Sequence, residues 1–285
     1  MEETEIVIPQ YFGSTQVVKW FGDAGSQFDE PRLLLRFSPS PFLEPAGIVA
    51  LASYIAARGA NGHRTSISMP ESDARHYLQR VDFFNVLGID LPESFRRWPA
   101  DKRFVTLRRI IDKATARTLA IETADCLETD LPGDSGSIVR AARNVFEELT
   151  VNIVDHSDRP DTGFGMAQTY PVAGGTGRLR IAVSDAGIGF LSSLQKSLEY
   201  AGRIADDSEA LRLAIEHEVT RVSTRGRGWG LKQLRELGDR LSADLKAASG
   251  ESLWSAKTVA GKRIYETQTI SPWRGCWISF DAPLP

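Results

Sequence analysis

Periodic segments punctuated by glycine at two points constrain this chain most. A long amphipathic run ends in Glu148, Asn152 and His156, a strand ends in Asp185-Ala186-Gly187-Ile188-Gly189, and a Gly226-Arg227-Gly228-Trp229-Gly230-Leu231 loop feeds another helix. In the first, Ile138, Val139, Ala142, Phe146, Leu149 and Ile153 recur every three or four positions. That spacing predicts an amphipathic helix from about Ser135 to His156, with Asp134 or Ser135 able to cap it. Positions four apart lie on nearly one stripe, so Glu148, Asn152 and His156 project into the same space.

A carboxylate and an amide oxygen therefore converge. Mg²⁺ takes a few hard oxygen ligands and completes its shell with waters and substrate phosphates, so a lone Asn152 oxygen facing a triphosphate would suffice. Glu148, one turn back, could orient or deprotonate an attacking water. Read alone, the same residues are better taken as an exposed polar stripe on a helix.

Leu179, Ile181 and Val183 alternate with Arg180, Ala182 and Ser184, and Asp185 continues the apolar parity. The pattern predicts a strand whose last carboxylate points toward the covered face of its sheet. An acceptor there, beside two glycines that let a ligand approach the backbone, suits the exocyclic amine of adenine. The plain alternative is a strand ending in an Asp-Ala-Gly turn. In the third stretch, Leu231, Leu234, Leu237 and Leu241 keep helical spacing from Gly230 onward. Glycines there permit backbone amides to turn toward phosphate oxygens at a helix start, with Arg225, Arg227 and Lys232 adding charge. No Walker A run occurs.

Helical ELTVNIVDH, a strand ending DAGIG, and GRGWGL before a helix, in that order, resemble the GHKL superfamily of ATP-binding domains over roughly Ser135 to Phe280. The resemblance implies an α/β sandwich, the Bergerat fold. In it a mixed, largely antiparallel sheet carries helices on one face, and ATP lies between that face and a mobile lid, here about Leu191 to Arg225. It also implies that Asn152 holds Mg²⁺, Glu148 is the general base and Asp185 reads adenine. Gly187 and Gly189 would line the base pocket, while Gly226, Gly228 and Gly230 wrap the phosphates. Asp155, His156, Arg227 and Leu231 complete the implied nucleotide-binding set. The threonine that some relatives carry on the final strand is missing from Trp273-Arg274-Gly275-Cys276-Trp277-Ile278. Four histidines include none in a phosphoacceptor pattern, and His217-Glu218 has no following proline and falls inside the expected lid, which argues against a sensor histidine kinase.

In the front half, Leu33 to Phe37 reads as a buried strand, Pro45 to Arg58 as a helix, Thr65 to Ser68 as a strand and Asp73 to Leu87 as a helix. A βαβα run implies a parallel pair. The wording LLLRFSPSPFLEPAG, then helix, then a strand ending at Pro70, then YLQRVDFFNVLG, resembles a STAS domain over about Arg32 to Gly88. Relatives switched by phosphorylation carry an Asp-Ser or Asp-Thr pair where Glu44-Pro45 stands here, so the domain is expected to dock a partner or pack on the ATP domain. The expected division is 1–100 for this smaller α/β domain, 101–134 as a connector and 135–285 for the ATP-binding sandwich.

The arginine and lysine run from Arg96 to Arg117 is balanced by Glu122, Asp125, Glu128 and Asp130, and the whole chain carries a net charge of −3. That balance argues against nucleic acid as the main partner. With 42% hydrophobic residues in 285, the chain can bury two modest cores. No apolar run approaches the ~18 residues needed to span a bilayer, and the acidic MEETEIVIPQ start is unlike a signal peptide, so a cytoplasmic location is expected. Cys126 and Cys276 form no metal spacing. The expectation is a Mg²⁺-dependent ATP-binding regulatory protein that hydrolyses ATP or transfers its γ-phosphoryl group to a partner protein. A slow, nucleotide-gated interaction module is the alternative. A homodimer is compatible with either, and Glu251 to Pro272 is a candidate partner surface.

Overall fold

The start of the chain, which lies outside the expected βαβα run, folds into two short strands and a helix before that run begins. The computed structural model describes residues 3–93, 104–131, 135–170, 177–197, 199–216 and 230–284. Its first half contains β1 (Thr4–Ile8), β2 (Tyr11–Phe12), α1 (Ser14–Ser26), β3 (Arg32–Phe37), β4 (Phe42–Leu43), α2 (Pro45–Ala60), β5 (Arg64–Ser68), α3 (Asp73–Arg80) and α4 (Phe83–Val86). The helix expected over 73–87 is broken where Asp82 takes a left-handed φ of 64°. Strands β1, β3 and β5 pair in parallel in that order. Helical crossovers α1 and α2 make this pairing feasible, because parallel neighbours cannot be joined by a tight turn.

The second half contains β6 (Phe104–Arg109), α5 (Lys113–Asp130), α6 (Gly136–His156), β7 (Phe164–Tyr170), β8 (Arg178–Asp185), α7 (Gly189–Gln195), α8 (Asp207–Glu216), α9 (Gly230–Leu241), β9 (Asp244–Val259) and β10 (Lys262–Pro283). Five strands pair in the order β6-β7-β8-β10-β9. Every pairing among them is antiparallel, which differs from the mixed sheet the resemblance implies. The stretch 101–134 is no mere connector. Its described part supplies the edge strand β6, and α5 packs along α6.

Alternation on β8 works as its pattern predicts. Leu179, Ile181 and Val183 enter a core with Phe146, Leu149 and Ile153 of α6 and Leu231, Leu234 and Leu237 of α9. The opposite parity is buried too: Ala182 and Ser184 are each 1% exposed. Phe164, Met166, Ala182, Ala248 and Trp277 join a second core with α1, α2 and the parallel strands. The sheet is therefore covered on both faces, where the resemblance implies helices on one.

Helix α2 explains this arrangement. Its run PAGIVALASY is buried on nearly every side, as expected of a helix enclosed by protein rather than lying on a surface. It contacts β5 of the parallel sheet and β7, β8 and β10 of the antiparallel one. Trp277 Nε1 donates to the Ala46 carbonyl at 3.0 Å, and Glu44, at the N-cap of α2, pairs with Arg180 of β8 at 2.7 Å.

Candidate functional site

On α6 the buried stripe Val139, Ala142, Phe146, Leu149 and Ile153 turns the helix so that Asn152 and His156, both half-buried, flank the end of β8. The two line a cavity with Leu149, Ile153, Val183, Asp185, Gly189, Phe190, Leu194, Leu231, Cys276 and Ile278 among its other walls. The cavity has about 780 Å³ of empty space, its open mouth included. Five of the residues expected to bind nucleotide, Asn152, His156, Asp185, Gly189 and Leu231, thus meet at one apolar hollow. The three elements that supply most of them are far apart in the chain.

Asp185 forms the polar point of that hollow. It is 4% exposed, and burial pushes its carboxyl from 3.8 up to about 7, against the opposing pull of backbone hydrogen bonds from Gly187 and Cys276. The Gly187 amide donates to Asp185 Oδ1 at 2.8 Å. The loop after the strand is held from behind. Ala186 N donates to Thr162 Oγ1 at 3.0 Å, and Ile188 N donates to the Ser157 carbonyl at 3.0 Å. A Cβ on Gly187 would stand 2.2 Å from that same carbonyl, so the close approach of α6's end to the loop requires glycine. Gly187 thus orients Asp185 and lies behind the loop rather than in the cavity wall.

Four contributors were not singled out as site residues from the sequence. Cys276 sits opposite Asp185 in the β8–β10 register, and burial, with Asp185 nearby, holds its thiol well above the usual range. Ser249 Oγ accepts from Phe190 N at 3.0 Å and lies 3.9 Å from Cys276 Sγ, so it links the start of α7 to β9 and β10. Phe190 is an apolar wall. Gly275 has φ +82°, and a Cβ there would meet the Asp185 carbonyl at 2.3 Å and Gly187 N at 2.5 Å. Cys276 and Ile278 of β10 are therefore walls of the hollow, in the stretch that lacks the threonine some relatives carry, while Gly275 packs behind Asp185.

Two expected residues lie elsewhere. Asp155 is drawn toward α5 by Lys113, whose Nζ is 2.8 Å from its carboxylate, and it takes no part in the cavity wall. Glu148, half-buried one turn before Asn152, also stands outside that wall. Gly226, Arg227 and Gly228 lie outside the described residues, as do His217 and Glu218. Gly230 opens α9, whose next residue, Leu231, is 4% exposed. The described part of the expected lid contains α7 and α8, joined through a small cluster of Leu194, Ile204 and Ala210.

Among the described residues no group of three or more His, Cys, Asp or Glu side chains is placed to hold a metal ion, and no helix is long and apolar enough to cross a membrane. A cation at this site would depend on the Asn152 amide oxygen, with phosphates and water as its other ligands, an arrangement that suits Mg²⁺. Comparisons with protein-family models, with curated proteins and with solved structures find no match for this chain.

Proposed function

We propose that the chain is a Mg²⁺-dependent ATP-binding regulatory protein of GHKL type, with a STAS-like front half that packs on the ATP-binding sandwich. The observation that carries this reading is Asp185: a carboxylate buried at an apolar hollow, its acceptor held by two backbone amides. A group so desolvated is costly unless a ligand returns a donor to it, and the amine edge of adenine is such a donor. Leu149, Ile153, Val183, Phe190 and Ile278 provide the apolar surface that a flat base needs.

In this reading Asn152 holds Mg²⁺ against the phosphates, the helix start at Gly230 faces them, and Glu148 positions water or a partner's hydroxyl. The bound metal supplies charge neutralisation at the phosphates. Asp185→Ala should abolish ATP binding in calorimetry; unaltered affinity would remove the adenine assignment. Glu148→Ala should bind ATP normally and lose turnover. With γ-labelled ATP and candidate partners, label on protein identifies a kinase and label as free phosphate identifies an ATPase.

One observation favours the alternative of a nucleotide-gated module. Glu148 stands outside the cavity wall, so a base aimed at the γ-phosphate requires closure of the α7–α8 region or a partner. Label that stays on ATP under all conditions would support that alternative.

A further inference from the structure

The β9–β10 hairpin extends well past the sheet it belongs to. β8 pairs with β10 only over Cys276–Pro283, whereas β9 pairs with β10 back to Lys262, with irregular register between Thr269 and Cys276. From Lys262 to Thr269 one edge of β10 is bonded to β9 and the other meets no strand among the described residues. Tyr265 to Thr269 are all exposed. Unpaired edges of this length are normally blunted by proline, a bulge, charged side chains or covering structure. Lys262–Thr269 contains no proline and no register shift, and its charges, Lys262, Arg263 and Glu266, are of both signs and so can complement one another across a twofold.

The ribbon is also held in place. At its base Trp273 stacks on Phe21 of α1 with ring centroids 4.5 Å apart. Near its tip Arg263 Nε lies 2.8 Å from Asp239 Oδ1 and the Tyr265 hydroxyl donates to Asp239 Oδ2 at 2.8 Å, both on α9. An edge pinned at two points loses little freedom when it pairs.

We infer that this edge pairs with the same edge of a second copy, joining two five-stranded sheets into one across a twofold axis at Ile264. A twofold perpendicular to the sheet keeps each residue on its own face, so partners must share parity, and the axis passes through a residue. Centring on Glu266 would oppose two carboxylates. Centring on Ile264 opposes the two isoleucines, places Arg263 of one copy against Tyr265 of the other, and Lys262 against Glu266, each pair occurring twice. Apolar, cation–aromatic and opposite-charge pairs each favour a strand pairing, and like charges oppose it.

Sedimentation of the full chain over a concentration series tests this without reference to nucleotide. The wild type should show a reversible monomer–dimer equilibrium. Glu266→Lys should weaken it about tenfold through two repulsive Lys–Lys pairs, and Lys262→Glu with Glu266→Lys together should restore it. Lys257→Ala, which removes the 3.1 Å pair that Glu266 makes within its own hairpin, should leave it unchanged. A wild-type monomer at every concentration overturns the inference, as does a dimer indifferent to Glu266→Lys or a double variant that fails to recover.

Discussion

Asp185 makes the stability of the chain depend on pH and, in the proposed reading, its affinity for ATP as well. Its carboxyl rises from 3.8 to about 7 on folding, so between those values the folded chain keeps a proton that the unfolded chain has lost. Stability must then fall as pH rises through that window. The contribution of the protonated group is fully present below 3.8 and gone above about 7. Asp185→Asn should abolish this dependence and, on the alkaline side, raise stability by up to about 4 kcal/mol at ~1.4 kcal/mol per unit. Denaturant titrations of both proteins across the window check it; superimposable pH profiles would refute the assignment. ATP binding should show the opposite trend. An adenine amine donates to the ionised form, so affinity should decline as pH drops below about 7, and calorimetry in two buffers of unlike ionisation enthalpy should register proton release. Affinity that is flat through that range would mean that the ligand does not engage this carboxylate.

Elements matter here through what each brings to a neighbour, and α2 brings a buried charge. Glu44 retains 7% side-chain exposure and Arg180 retains 17%, with Arg180 Nε also 3.0 Å from Asp281. Arg180→Met should destabilise the chain by about 3 kcal/mol because it leaves Glu44 buried without its cation. Adding Glu44→Gln should recover most of the loss, and urea midpoints for the two singles and the double give the coupling directly; additive losses would place the pair outside the interface energetics. Such pairings also mark how far the sequence could be read. Helix α6 and strand β8 were legible because each carries its own period, and helix α2 and strands β3 and β5 because proline and glycine turns bound them. Helix α1 was not, although Val17, Trp20, Phe21 and Ala24 have helical spacing, because its N-cap is Gly13 without a side-chain cap and its first turn has no acid. At the site, Asn152, His156 and Asp185 were legible from spacing and parity. Ser249, Gly275 and Cys276 were not, because their roles come from the register that sets Cys276 opposite Asp185, a pairing no local pattern encodes.

At the scale of the whole molecule, the second core decides whether the two halves are separable. Trp277, Phe164 and Met166 of the antiparallel sheet are fully buried, and they are so because they share a core with Phe12, Phe21, Ile48 and Leu51 of the front half. Dividing the chain near residue 100 would bare that apolar back face to water, a loss that grows with the area exposed. The same division would take α2 from Trp277 Nε1, which donates to Ala46, and would leave a buried carbonyl and a buried indole without their hydrogen bond. The full chain should therefore unfold in one thermal transition, with calorimetric and van't Hoff enthalpies in agreement, despite the two fold patterns visible in its sequence. A fragment starting at Phe104 should be aggregation-prone or loosely packed, and mixing it with a fragment ending at Glu93 should restore a cooperative transition. Two resolved transitions in the full chain, or a fragment from Phe104 that melts as sharply as the whole, would show that the front half stabilises nothing behind the sheet. One transition would instead mean that the front half and the sheet that carries Asp185 unfold as one unit, joined where α2 touches β7, β8 and β10 from behind.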